Sequence, residues 1–144
     1  MGVAYVREDS RAARVDASRR LKMRLESKPV PKLVRESLAA LGRGARDTDV
    51  PVDLTWARDY ERDVLFAAMR IPRGETRPYG WLAREAHRPL AVRAAASAIA
   101  RNPLWLIVPC HRVVRADGSI GAYGSGKAGV ARKRALLKRE GVVL

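Results

Sequence analysis

From Asp59 onward, proline and glycine recur so closely that the chain can fold only as a series of short elements. Tyr60, Val64, Leu65, Ala68 and Met69 fall at helical spacing, and Pro72-Arg73-Gly74 stops the helix they mark. Tyr79–Ala86 reads as a second short helix after the loop Gly74–Pro78. His87-Arg88-Pro89 turns the chain into an alanine-rich helix, Leu90–Ala100, with Pro89 near its first turn and Asn102-Pro103 ending it. Two short helices joined by about three residues, the second basic, form a helix-turn-helix outline. The continuous apolar run Leu104–Val108 predicts a buried strand or extended core segment leading into Pro109-Cys110-His111-Arg112. Val113-Val114 is short and extended, and Ala116–Ser119 is a turn by composition. Four glycines between Gly121 and Gly129 surround Tyr123 and predict a flexible loop. Ala131–Glu140 is a basic helix with Leu136 and Leu137 inward and Gly141 as its cap.

The region before Asp59 carries weaker signals. Residues 1–28 are irregular and strongly charged, with a weak alternation at Val3–Val6. Lys32–Leu41 has helical spacing and stops at Gly42-Arg43-Gly44, and Asp47–Asp53 is an extended connector. A length of 144 residues fits one domain, or a compact domain with a small appendage. A hydrophobic content of 47% excludes wholesale disorder. No apolar run approaches the roughly 18 residues of a membrane span, and Met1–Ser10 lacks an apolar signal core, so the expected location is cytoplasmic.

Charge and cysteine count narrow the partner and the chemistry. The net charge of +14 asks for a polyanion, with nucleic acid as the default partner of a small basic chain. Residues 64–144 hold 15 basic and 4 acidic side chains, so most of the excess lies there, much of it as Arg, which suits phosphate. A solvated surface shaped by coding bias gives the same count. One cysteine excludes an internal disulfide framework and a cysteine-rich zinc site, and with two histidines beside it no metal is expected.

Cys110 follows an apolar run and a proline and precedes His111 and Arg112. Nearby cations or a base would turn its thiol into a nucleophilic thiolate, while a buried structural cysteine is the bland alternative. In an extended segment adjacent side chains face opposite ways, so His111 need not touch Cys110 and could act through a water or through the turn geometry. Arg93 projects from a helix face smoothed by Ala94-Ala95-Ala96, which suits either close approach to DNA or tight helix packing. Tyr79 and Tyr123 lie in loops beside Gly80 and Gly124, able to stack on a base or to cover a core edge. Glu140 stands at the C-terminus of a basic helix, where the helix dipole disfavours it, so it has either a role or an ion pair with Arg139 or Arg134.

Five stretches in order over Ile71–Gly141 resemble the O6-alkylguanine-DNA alkyltransferases. They are IPRGETRPYG (71–80), RPLAVRAAASAIARNP (88–103), IVPCHRVV (107–114), DGSIGAYGSG (117–126) and RKRALLKREG (132–141). VPVDL (50–54) is similar to the family's interdomain linker. The resemblance implies a winged helix-turn-helix-like alkyltransferase domain, α/β but mostly α, over residues 51–144. Residues 1–50 would be a short region, reduced from the family's ribonuclease-H-like domain. Cys110 is implied as alkyl acceptor, His111 as its base through a water, Glu140 as the group polarising His111, and Tyr79 as hydrogen-bond donor to the purine. Arg93, Ala94 and Ala95 would meet duplex DNA, together with Arg101 and Arg112, and Arg93 would fill the gap left by a flipped nucleotide. Carbonyls near Cys110 and Val113 would read the base, Tyr123 and Gly124 would close over it, and Asn102 would brace the turn. The expected partner is double-stranded DNA containing alkylated guanine, bound by a monomer without cofactor, with O4-alkylthymine as a further candidate substrate.

The chain departs from the family pattern at Tyr60-Glu61 in place of Phe-Gln, at Pro78, at Ser97 in place of Gly, and in the lengthened loop GSGKAGVA. Three function classes follow. The first is a single-turnover repair alkyltransferase. The second is an alkyltransferase-like protein that flags damage without accepting the alkyl group; such relatives replace the acceptor cysteine, which is present here. The third is a plain helix-turn-helix regulator, which leaves Glu140, Tyr79 and the glycine loop without a role.

Overall fold

The structure, a computed structural model, describes residues 29, 31–43, 52–124 and 126–144. The readings for residues 1–28 and for the start of the connector at 47–51 lie outside the described residues. Helix α1 (Lys32–Arg43) extends past Leu41; Val34 is buried, but Leu33 is exposed. Helix α2 (Asp59–Met69) opens on Asp59 and Glu61, carboxylates that the positive end of the helix dipole favours, and buries Val64, Leu65, Ala67 and Ala68. The two-residue strand β1 (Arg77–Pro78) runs straight into α3 (Tyr79–Glu85), so Tyr79 is the first residue of a helix and not part of a loop.

His87, at φ +58°, takes the left-handed conformation that bends the chain between α3 and α4 (Val92–Ala100). Helices α2, α3 and α4 pack together as a helix-turn-helix unit whose core is rich in alanine, at Ala67, Ala68, Ala83, Ala95 and Ala98. Small side chains let these short helices approach closely and still exclude water. The same packing corrects one expectation. Ala95 is fully buried with Ala98 and Ile99, at the i, i+3, i+4 spacing that faces the core, so it is not on the surface offered to DNA. Val92, Arg93, Ala94, Ser97 and Ala100 are the exposed residues of that helix.

The apolar run Leu104–Val108 is not a strand. It folds as a turn in which Val108 N–H donates to Leu104 O at 2.9 Å, and Leu106 sits at φ +75°. The segment around Cys110 is not extended either: Cys110–Arg112 is one turn of 3-10 helix. It leads into strand β2 (Val113–Val114), which pairs in parallel with β1 in the register Arg77 to Val113 and Pro78 to Val114. That small sheet joins the start of α3, and hence Tyr79, to the turn that carries Cys110. The glycine-rich segment is shorter than expected, because helix α5 (Gly126–Arg139) takes in Gly126 and Gly129. Among the described residues no helix is long and apolar enough to cross a membrane.

Candidate active site

Asn102 builds the floor of the site. It is buried at the end of α4; its Oδ1 accepts Leu104 N–H at 2.9 Å and its Nδ2 donates to Val108 O at 3.0 Å. One amide thereby holds both ends of the turn that precedes Pro109-Cys110. Trp105 Nε1–H donates to the Asn102 carbonyl at 2.8 Å, and the indole lies 5.5 Å from the Tyr123 ring and also carries the Arg132 guanidinium over it.

Cys110 is buried, and its thiol lies 3.8 Å from the Tyr123 hydroxyl. Burial pushes the thiol above its ordinary range, while Asn102, Tyr123 and Lys133 pull the other way. Burial and the neighbouring sulfur raise Tyr123 as well, so its hydroxyl keeps its proton and can donate to a thiolate. Tyr79 is half-buried and also raised, first by burial, with Arg115 opposing. A hydroxyl that stays protonated in this way is a hydrogen-bond donor.

His111, Arg112 and Glu140 interlock beneath the turn. Glu140 stands just past the last residue of α5, where Arg112 donates to it twice, Nε to Oε2 and Nη2 to Oε1, each at 2.9 Å. Arg112 Nη1 donates to Ile71 O at 2.7 Å. Burial works against the Glu140 charge, but hydrogen bonds from His111 and Arg112 overcome it and hold the carboxyl at about 2. An ionised carboxylate only accepts, so His111 Nε2 carries the hydrogen that it donates to Oε1 at 3.0 Å. In the neutral imidazole this leaves a lone pair on Nδ1, the one buried side-chain N or O atom among the described residues without a protein partner. The carboxylate that looked misplaced at a helix C-terminus therefore orients a histidine. It does not pair with Arg139 or Arg134.

This geometry corrects the expectation for Arg112, whose guanidinium is committed inward and is not a surface contact for DNA. Arg93 and Arg101 are exposed, and Arg101 Nε donates to Glu61 at 3.2 Å. Gly124, at φ +54°, lies against the edge of Trp105. Sequence reasoning missed Lys133, which is buried and donates to the Val113 carbonyl. The run RKR hides it among solvated charges, yet Gly129, Lys133 and Leu137 recur every four residues, the spacing of one helix face. Among the described residues no group of three His, Cys, Asp or Glu side chains is arranged to hold a metal ion.

Fold and site together define a helical DNA-binding domain built around one buried thiol. Residues 59–142 match the family model described as 6-O-methylguanine DNA methyltransferase, DNA binding domain. The chain belongs to that family. It is 44% identical over 107 residues to the bifunctional transcriptional activator/DNA repair enzyme Ada of Escherichia coli K12, covering 74% of this chain and 29% of that one. It is 46% identical over 92 residues to a methylated-DNA–protein-cysteine methyltransferase of Mycobacterium bovis, covering 64% and 53%. The structure of Mycobacterium tuberculosis OGT in complex with DNA superposes at a TM-score of 0.68 and 41% identity, over 75% of this chain and 65% of that one. The chain thus spans about half or less of the length of these two curated relatives.

Proposed function

We propose that the protein repairs DNA by moving the alkyl group of O6-alkylguanine, and of O4-alkylthymine as a second substrate, onto Cys110 in a single irreversible turnover. The observation that carries this reading is the His111–Glu140 pair, which leaves Nδ1 of His111 without a protein partner in the residue next to Cys110, a thiol that burial makes harder to ionise. His111 Nδ1 takes the thiol proton through a bridging water. The Cys110 Sγ–carbon bond then forms as the carbon–O6 bond breaks, and the electron pair stays on the guanine. Tyr79 steadies that charge by donating a hydrogen bond to the purine, and the proton taken by His111 returns through solvent to the leaving base. Tyr123 and Gly124 close over the base. The Val113 carbonyl has a second lone pair free for the exocyclic amine while Lys133 occupies the first.

The reacting atom is out of reach inside a stacked duplex, so the nucleotide must be extruded. The exposed Arg93 on α4 fills the gap it leaves, and Ala94 lets the helix approach the groove. Acting on DNA, the protein would work in the cytoplasm, and on the nucleoid if the organism is a prokaryote.

Incubation with duplex DNA carrying O6-methylguanine is expected to add the mass of one methyl group to the intact protein, and Cys110→Ser is expected to gain nothing. Preferential binding of the damaged duplex without a mass change would instead make the protein an alkyltransferase-like damage sensor. Equal binding to damaged and intact duplex, again without transfer, would leave a plain helix-turn-helix regulator. Arg93→Ala is expected to slow single-turnover repair of duplex substrate at least tenfold while reaction with free O6-benzylguanine stays within about twofold, since only the duplex requires extrusion. Equal losses on both substrates would remove Arg93 from the flipping step.

A further inference from the structure

Ala91 N–H donates to the Arg88 carbonyl at 2.9 Å and closes a four-residue turn between α3 and α4, with Pro89 and Leu90 at its tip. Proline presets φ at the second position of such a turn, so the tip is stiff. Both flanks are tied down. Arg88 N–H donates to Ala83 O at 2.9 Å, which anchors the entry to α3. The Ala91 carbonyl accepts Ala95 N–H at 2.9 Å, and its other lone pair accepts the Tyr60 hydroxyl of α2 at 3.1 Å. The Arg88 guanidinium lies over the same Tyr60 ring, 5.0 Å from its centre. A phenylalanine at position 60 could not donate to Ala91.

This anchored tip presents a leucine to water. Leu90 is 99% exposed, more than any other large hydrophobic side chain of the described residues, and Val92 close by is exposed as well. A lone exposed leucine is ordinary on a protein surface. Leu90 differs in its surroundings. Arg93 follows it by three residues and is exposed, and Arg84, His87 and Arg88, which precede it in the chain, are exposed too. No carboxylate occurs between Glu85 and Asp117; Glu85 is paired with Arg70, and Glu61 with Arg101. The rim of the apolar tip is therefore cationic, which complements a polyanion and repels a second copy of the same surface. A leucine has no donor for a phosphate, so its partners on DNA are the sugar carbons and base edges inside a groove.

We propose that Leu90 is an apolar DNA contact, pressed into the groove beside the step that Arg93 enters, where it packs on sugars and base edges. The inference rests on the DNA-binding side of the proposed function and adds to it a residue whose contribution is hydrophobic and not electrostatic. Burial of Leu90 becomes available only where the groove has opened, so it favours the distorted duplex over the relaxed one. Tyr60 and Pro89 hold the tip in place beforehand, which spares the entropy of ordering it on binding.

Equilibrium binding of a fluorescent O6-methylguanine duplex to the full chain, in a Cys110→Ser background that blocks transfer, tests this. Leu90→Ala is expected to weaken binding about tenfold, the value of re-exposing most of a leucine side chain, with the slope of log Kd against log salt unchanged. Leu90→Lys is expected to bind more weakly than its parent at about 0.15 M salt, because a charge does not replace a buried side chain. An affinity of Leu90→Ala within about twofold of the parent overturns the proposal. A Leu90→Lys protein that binds more tightly than its parent, with a slope steeper by about one, also overturns it, since that puts position 90 against a phosphate. Self-association lost in Leu90→Ala with DNA affinity intact, read by sedimentation velocity, assigns the residue to a second copy and overturns it too. The side chain stands in water in the free protein, so both variants should keep the parent's melting temperature. With Cys110 restored, both should react with free O6-benzylguanine at the wild-type rate. A parent that binds no duplex fails the reading beneath the inference, whereas a parent that binds no better than Leu90→Ala fails the inference alone.

Discussion

Glu140→Gln is expected to destabilise the protein by about 3–5 kcal/mol and to slow alkyl transfer by about 10²–10⁴-fold at neutral pH. The stability loss arises at Arg112. Its guanidinium is buried and donates twice to the carboxylate, so an amide in that place leaves the cation without a counter-charge. The rate loss arises at His111. A carboxylate can only accept from Nε2, which in the neutral imidazole leaves Nδ1 bare, whereas a Gln amide can rotate its NH₂ toward Nε2 and favour the opposite tautomer. The pH dependence has a definite sign. The carboxyl is held at about 2 in the fold against an ordinary value of 4.5. Its contribution is fully present above about 4.5 and is lost as pH falls toward 2. Wild-type stability should therefore drop across that window, and the drop should be smaller in Glu140→Gln. Urea unfolding between pH 2 and 7 and single-turnover kinetics on O6-methylguanine duplex test both parts. A folded variant that reacts at the wild-type rate would remove Glu140 from the relay.

The helices of the central unit were legible because burial imposes a period that sequence displays. Val64, Leu65 and Ala68 mark α2, and prolines and glycines punctuate the turns around it. Alanine blurs the signal in α4, since Ala94 and Ala95 are chemically identical while one faces solvent and the other the core. The segment before Cys110 was misread for a different reason. Leu104–Val108 is apolar throughout, but Asn102 hydrogen-bonds both ends of it and bends it, and side-chain-to-backbone bonds of that kind leave no periodicity. The parallel pairing of Arg77–Pro78 with Val113–Val114 is too short to show a pattern, although it brings Tyr79 and Cys110 into one site. Glu140 stood out because it contradicts its own helix. Its partners lie 28 and 29 residues away, a distance at which spacing alone carries no information, and only the family resemblance connected it to His111. Arg112 looked like another surface cation because no local feature separates a buried arginine from an exposed one.

Gly129→Ala is expected to destabilise the protein by about 2 kcal/mol or more, even though alanine suits a helix better than glycine by roughly 1 kcal/mol. A Cβ at Gly129 would fall inside the van der Waals envelope of the Tyr123 carbonyl and press on the backbone of Gly124. These obstacles are main-chain atoms, which cannot swing aside as the tip of a side chain can. Either α5 moves out or the Tyr123 segment moves away. The first displaces Lys133, one turn further along the same face, and the second draws the Tyr123 hydroxyl away from the Cys110 thiol, now at 3.8 Å. Transfer should therefore fall together with stability, by about tenfold if the lost hydrogen bond to the thiolate is worth 1.4 kcal/mol. Gly80→Ala in α3 supplies the contrast. A Cβ there would meet only the Arg84 guanidinium, at an ordinary 3.9 Å, so the gain in helix propensity should leave stability unchanged or raised. Thermal unfolding of the two variants side by side, with single-turnover rates, tests the argument. A Gly129→Ala protein as stable as wild type would mean that α5 does not lie against Tyr123 in solution, and the thiol would then lose the hydroxyl that this contact holds beside it.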